Sequence, residues 1–171
     1  MTEKPWTLRD HEVRQVLTTG ECLVVRPVKP QPPVDATDVL VWEAPELPAS
    51  VKAAEGLYCH CPDGLRFLGS CPYPAGSRWW VRETWCPYAD DMTREYCQTH
   101  DPEWGEPIKP AVYSADYDVD CNPLDVGGCE KWHSSITMPR WASRMDVEVV
   151  ESTVEQQDGV WVWITKVRRV Q

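Results

Sequence analysis

Residues 145–170 read MDVEVVESTVEQQDGVWVWITKVRRV, two alternating runs on either side of the pair Asp158-Gly159. In the first run, apolar and polar residues alternate from Met145 to Val149, which is the period of a strand with one buried face. The second run alternates in the same way. Because Asp-Gly favours the two-residue turns whose twist matches paired strands, the stretch predicts a β-hairpin.

Further strands and one helix are expected upstream of this hairpin. Residues 10–20 place apolar side chains on one helical face, with Asp10 as the expected cap and Gly20 as the stop. The β-branched and aromatic runs at 22–26 and 78–85 are typical of strands. The predicted fold is therefore mostly β (α+β), a small β-barrel with a few flanking helices.

The length of 171 residues favours a single domain covering residues 1–171. No run approaches the roughly 20 apolar residues of a membrane span. The first residues also lack the basic start and apolar stretch of a signal peptide. We therefore expect a cytoplasmic protein without a membrane partner.

The net charge of −10 at first disfavours a nucleic-acid ligand, since phosphate contacts need a basic surface. The charge is unevenly distributed. Residues 86–130 hold two basic and 11 acidic residues, a net charge of −9, so the rest of the chain is almost neutral. We interpret 86–130 as a long acidic loop insertion, and a polyanion remains possible as a ligand elsewhere.

The eight cysteines are expected to be reduced thiols or metal ligands, because a chain without an export signal seldom builds a disulfide framework. Cys59, Cys61 and Cys71 lie close together in sequence and, with one distant ligand, could hold a structural zinc ion. The alternative is free thiols. No other cofactor is expected.

Residues 131–144 read KWHSSITMPRWASR and mix arginine, tryptophan and serine just before the hairpin. Such a mixture suits phosphate contacts and base stacking. The alternative is a structural crossover, in which Trp132 and Trp141 pack in the core and Arg140 and Arg144 form internal ion pairs.

The segment 138–144, MPRWASR, resembles a motif of small ASCH-domain proteins common in tailed phages and prophages. Two further stretches, 71–85 and 161–164, resemble other parts of the same group. The resemblance implies a PUA-like fold, a small β-barrel with helices at its side. It also implies a cleft suited to nucleic acid or modified nucleosides.

Some ASCH-domain proteins are similar to amidohydrolases acting on acylated cytidine, which use a lysine and a threonine of a G-x-K-x-x-T-x-R motif. The motif aligns with residues 20–27, where the lysine position is Cys22 and the threonine position is Val25. The resemblance therefore predicts a protein without the family's hydrolase groups. The remaining catalytic candidates are Cys22, otherwise a buried strand residue, and Glu83, otherwise a buried partner of Arg140 or Arg144.

The sequence thus predicts a protein that binds RNA, single-stranded DNA, or a nucleotide or modified nucleoside. An amidohydrolase of acylated nucleosides, and a phage protein that binds a host factor through its acidic insertion, are the alternatives. The expected ligand contacts are basic, aromatic and hydroxyl side chains: Arg26, Lys29, Arg78, Arg82, Lys131, Trp132, Ser135, Arg140, Trp141 and Arg144.

Overall fold

A computed structural model describes residues 4–42, 56–87, 111–118, 120–125, 129 and 131–170. Most of the acidic insertion, including residues 88–110, lies outside the described residues. The elements in chain order are β1 (Lys4–Thr7), α1 (Asp10–Thr19), β2 (Glu21–Pro27), β3 (Asp38–Trp42), β4 (Gly56–Cys61), β5 (Gly64–Gly69), β6 (Arg78–Arg82), β7 (Trp85–Pro87), β8 (Ala111–Tyr113), β9 (Asp146–Gln157) and β10 (Val160–Arg169). Short 3-10 turns cover Ser114–Asp116, Pro123–Asp125, Ser135–Thr137 and Arg140–Ala142.

The strands form three sheets, which confirms the mostly β class. The largest sheet has the order β1-β6-β9-β10-β2, the second has the order β3-β4-β5, and β7 pairs with β8. None of these sheets closes into a barrel within the described part of the chain, so the predicted barrel is not seen there.

The C-terminal hairpin is confirmed as strands β9 and β10, which are neighbours in the large sheet. The backbone φ is 50° at Asp158 and 79° at Gly159, so both turn positions are left-handed. Two left-handed central residues define the type I′ turn that fits the twist of paired strands. The apolar residues of the first run, Val147 and Val149, are buried as the alternation predicts.

Helix α1 begins one residue earlier than predicted. Arg9, rather than Asp10, occupies the N-cap, and its backbone N–H donates to the Glu12 carboxylate at 2.7 Å. Gly20 ends the helix as predicted, with a left-handed φ of 80° that a glycine adopts without strain. Across the described residues, no helix is both long enough and apolar enough to cross a lipid bilayer.

The strand predicted over 78–85 is interrupted. Strand β6 ends at Arg82, whose carbonyl accepts a hydrogen bond from the Leu8 N–H. The chain then leaves the large sheet, and Trp85 exchanges backbone hydrogen bonds with His133 at the start of β7. Burial alternates along the run, since Val81, Glu83 and Trp85 are buried and Arg82 and Thr84 between them are half-buried.

The chain divides into two compact units. The first unit comprises Met1–Cys22, Arg78–Val147 and Arg169–Gln171, and the second comprises Leu23–Ser77 and Glu148–Arg168. Each unit has its own buried cluster. That of the first unit centres on Trp85, Tyr113 and Met138, and that of the second on Leu57 and Trp163. The single domain over 1–171 stays a prediction.

Candidate functional site

Glu83 carries a buried carboxylate in the first unit and is fully shielded from solvent. Arg144 holds it with two hydrogen bonds, from Nε to Oε1 at 3.0 Å and from Nη2 to Oε2 at 2.8 Å. Burial raises the pKa of Glu83 above its ordinary value, and the Arg144 guanidinium opposes that rise. Of the alternatives for Glu83, the structure shows the buried partner of Arg144.

The opposite edge of the Arg144 guanidinium is also occupied. Its Nη1 donates to both carboxylate oxygens of Asp116 at 2.8 Å, and its Cζ lies 4.1 Å from the centroid of the Tyr113 ring. We call Glu83, Arg144, Asp116 and Tyr113 the Glu83 cluster. Arg144 is thus engaged in internal ion pairs, as the structural alternative for the 131–144 motif expected.

Helix α1 fixes the same cluster from another side. The Ser114 hydroxyl donates to the Asp10 carboxylate at 2.6 Å. The Arg14 guanidinium donates to the Ala115 carbonyl at 2.8 Å and to the Tyr117 carbonyl. The turn that carries Asp116 is therefore tied to the helix, and the Glu83 cluster joins parts of the first unit that are distant in sequence.

A second arrangement of charged groups surrounds the indole of Trp80. The Cζ atom of Arg82 lies 4.9 Å from a Trp80 ring centroid, and that of Arg140 lies 5.8 Å away. Trp80 and Arg82 are two residues apart on β6, so their side chains share one face of the strand, opposite the fully buried Val81. We call Trp80, Arg82 and Arg140 the arginine–tryptophan site.

Two buried polar atoms at this site lack hydrogen-bond partners within the described part of the chain. One is the Nε atom of Arg82, a donor, and the other is the Oδ1 atom of Asp146, an acceptor. The other carboxylate oxygen of Asp146 accepts a hydrogen bond from Arg140 Nη2 at 2.9 Å. Guanidinium groups are well suited to bind phosphate and carboxylate oxygens, so an anion could satisfy Arg82 Nε.

Trp80 was not among the residues singled out from the sequence. It stands two positions before Arg82 in a predicted strand, and that spacing places an indole and a guanidinium on one face. The spacing was therefore the pattern that could have identified it.

The two tryptophans expected to stack on a base, Trp132 and Trp141, instead pack against other residues of the protein. Trp132 is half-buried, its Nε1 donates to the Cys121 carbonyl at 3.3 Å, and its ring lies 6.1 Å from that of Tyr117. Trp141 packs edge-on against Trp85, with 6.0 Å between the ring centroids. Both contacts agree with the alternative in which these tryptophans fill core space.

The remaining predicted contacts are distributed over both units. Arg78 and Lys131 are exposed in the first unit, and the half-buried Ser135 begins a 3-10 turn there. Arg26 and Lys29 belong to the second unit. Arg26 donates from Nη1 to the carbonyl of Val25 at 2.9 Å. Of the predicted ligand contacts, Arg82 and Arg140 are therefore the two that lie together at the Trp80 indole.

The catalytic candidates each contact a different partner. Cys22 is buried, and its Sγ donates to the Gln15 Oε1 at 3.4 Å. The Glu83 carboxylate is bound by Arg144.

The predicted zinc ligands lie in the second unit. The Sγ atoms of Cys59 and Cys61 are 3.5 Å apart, and Cys71 packs against the same buried cluster. Burial raises the pKa of the Cys59 thiol to about 11, and it also raises the pKa of the Cys71 thiol. In the described ranges no three histidine, cysteine, aspartate or glutamate side chains form a group suited to a metal ion.

Cys86 and Cys129 correct the expectation of reduced thiols. They are joined as a disulfide with their Cα atoms 5.8 Å apart, a separation typical of disulfides. Both residues are buried in one small cluster with Val112. The expectation rested on the type of compartment alone, and no local pattern shows that two residues 43 positions apart meet.

The described residues of the first unit therefore offer two charged arrangements. In the Glu83 cluster, Arg144 binds the carboxylates of both Glu83 and Asp116. The arginine–tryptophan site has a buried donor and, beside Arg140, a buried acceptor without partners. The chain matches no family model, no curated protein and no solved structure.

Proposed function

We propose that the protein binds RNA, single-stranded DNA or a nucleotide through its phosphate groups, at the arginine–tryptophan site. The observation that carries the proposal is the placement of two guanidinium groups on the single indole of Trp80, with the buried Nε of Arg82 unpaired. A phosphate offers several acceptor oxygens and so matches the planar donor edge of arginine.

The stacking of both guanidinium groups favours this function. An arginine that lies on an aromatic face loses less conformational freedom when it binds an anion, because its plane is already oriented. Arg82 has no hydrogen bond or ion pair from its side chain among the contacts of the described residues. Arg140 is held by Asp146 with both side chains partly exposed, so a ligand can compete for it.

The resemblance stated above supports the same function. Arg140 lies in the segment 138–144, and Trp80 and Arg82 lie in the segment 71–85, the two longest stretches that carry it. We propose on this ground that the chain is an ASCH-domain protein of the phage type with a PUA-like barrel.

Fluorescence anisotropy tests the proposal with a labelled 12-nucleotide RNA, the same sequence as single-stranded DNA, and unlabelled mononucleotides as competitors. We expect a Kd below about 1 mM for at least one of these. Arg82→Gln and Arg140→Gln should each weaken binding. Each should also reduce the slope of log affinity against log salt concentration by about one, the contribution of one phosphate contact.

Arg66→Gln is the matched control. It removes the same charge from an exposed ion pair with Asp63 in the second unit. It should leave binding as in the unchanged protein. Failure of every ligand to bind below about 1 mM would refute the proposal, and so would equal losses in Arg66→Gln and Arg82→Gln.

A further inference from the structure

We propose that a cavity in the second unit binds a small aromatic carboxylate. The cavity has a volume of about 230 Å³ and is independent of the arginine–tryptophan site, which belongs to the first unit. Three features carry this inference: an apolar floor, walls fixed by hydrogen-bonded polar side chains, and one cationic side chain among the described residues at the rim.

The floor of the cavity is part of the buried core of the second unit. Val28, Leu57 and Trp163 line the cavity and are at most 4% exposed, and Leu68 packs against the same cluster. Such a surface favours an apolar ring over a flexible polar group, because each buried apolar group gains from leaving water.

The walls are held in place without a ligand. The Gln31 amide donates to the Val28 carbonyl at 2.7 Å and to the Trp161 carbonyl at 2.9 Å, and it accepts from the Trp161 N–H at 2.9 Å. On the other side, the Ser152 hydroxyl donates to the Tyr73 carbonyl at 2.6 Å. A preformed pocket binds with a smaller ordering cost.

The charge at the rim of the cavity determines which polar group the ligand should carry. Lys29 is exposed and lines the cavity, and no acidic side chain lines it within the described residues. No ion pair of Lys29 occurs among the described residues. Ser70 also lines the cavity, and a serine hydroxyl can donate to an oxyanion. A ligand with an anionic group on an aromatic ring can therefore pair with Lys29 at the rim and pack against the apolar floor.

The volume limits the size of the ligand. Pockets for drug-sized ligands span roughly 300–1,000 Å³, and this cavity is smaller. One or two fused rings with a short carboxylate arm fit this range, whereas a whole nucleotide would extend well outside it.

Isothermal titration calorimetry and amide chemical-shift mapping test the inference with benzoate and indole-3-acetate as probes. Benzyl alcohol and indole serve as their uncharged counterparts. We expect one carboxylate to bind with a Kd below about 1 mM, at least fivefold more tightly than its neutral counterpart. The shifted amides should include Gly69 and Ser70.

Two variants and one control locate the site. Lys29→Gln should weaken carboxylate binding at least fivefold and leave the neutral probes unchanged. Ser70→Phe replaces an exposed rim residue and should block all probes, while its amide spectrum reports whether the chain is folded. Lys4→Gln removes the same charge in the first unit, where Lys4 lies 6.0 Å from the Trp79 ring, and should change nothing.

Equal binding of charged and neutral probes would overturn the inference, as would unchanged carboxylate binding in Lys29→Gln or the absence of any binding. Because the nucleotide titration depends on residues of the first unit, its failure and the failure of this experiment are distinguishable.

Discussion

Arg144 donates two hydrogen bonds to Glu83, one to each carboxylate oxygen, and the accepting side chain is only 1% exposed. A carboxylate buried to this degree is costly unless a cation and hydrogen bonds compensate it. The pair joins β6's C-terminal flank to the segment before β9, across 61 positions of sequence. It is therefore a structural link, and its removal should be measurable as lost stability.

We predict that Arg144→Met lowers the free energy of unfolding by about 3–5 kcal/mol, because it leaves Glu83 buried without its cation. The measurement is urea unfolding at pH 7, followed by circular dichroism. The double variant Glu83→Gln/Arg144→Met should recover part of the loss, since it removes the uncompensated charge. A double variant as unstable as the single one would contradict this account.

The pH dependence of stability gives a separate prediction for Glu83. Burial raises the folded-state pKa of Glu83 above its ordinary value of 4.5. A group with a raised folded pKa contributes its stability fully below the unfolded pKa and loses it as pH rises through the folded pKa. The stability of the unchanged protein relative to Glu83→Gln should therefore fall as pH rises from about 4 towards 7.

Urea unfolding of both proteins across this pH range measures the difference. The expected direction depends on desolvation outweighing the attraction of Arg144. If the advantage of the unchanged protein instead grows with pH, the ion pair lowers the pKa of Glu83 and the prediction is wrong.

The sequence predicted those features that are set by neighbouring residues. The hairpin follows from alternation and from Asp158-Gly159, both of which act within a few positions. The end of α1 at Gly20 is equally local. The strand expected over 78–85 is present in its first part and ends at Arg82.

The features that depend on tertiary contacts stayed open or were missed. The sequence left Arg140 and Arg144 as equal partners for Glu83, because nothing local distinguishes two arginines four positions apart. The disulfide between Cys86 and Cys129 was missed, because it depends on the path that the chain takes between the two residues. The packing of Trp132 and Trp141 depends on neighbours such as Tyr117 and Trp85, which no single segment contains.

Asp146 limits anion binding at the arginine–tryptophan site, because it already occupies Arg140. We predict that Asp146→Asn strengthens nucleotide binding by up to about fivefold, the equivalent of a partly exposed ion pair of at most about 1 kcal/mol. Anisotropy titrations measure the change. Asp63→Asn, which removes an exposed partner of Arg66 in the second unit, should leave the affinity unaltered.

Weaker binding in Asp146→Asn would show that the carboxylate positions Arg140 for the ligand instead of competing with it. Both outcomes rest on the proposed function, since they require a measurable nucleotide affinity.

The hairpin turn should be sensitive at Gly159. Its φ of 79° lies in the left-handed region, which costs a residue with a Cβ about 1–2 kcal/mol. We expect Gly159→Ala to lower the free energy of unfolding by about this amount, as measured by thermal or urea unfolding. Asp158→Asn is the matched control and should be close to neutral, because asparagine tolerates a left-handed φ. Equal stability of Gly159→Ala and the unchanged protein would contradict the type I′ turn.

The disulfide between Cys86 and Cys129 closes a loop of 43 positions, which includes most of the acidic insertion. Loop closure of this length restricts the unfolded chain and stabilises the fold by about 4 kcal/mol in the chain-entropy model. We therefore expect dithiothreitol to lower the urea midpoint of the unchanged protein and to have no such effect on Cys86→Ala/Cys129→Ala. Iodoacetamide added to the denatured, unreduced protein should leave two of its eight cysteines unmodified, as counted by mass spectrometry. Modification of all eight cysteines would show that the bond does not form, and the expected reduced thiols would then hold for this pair as well.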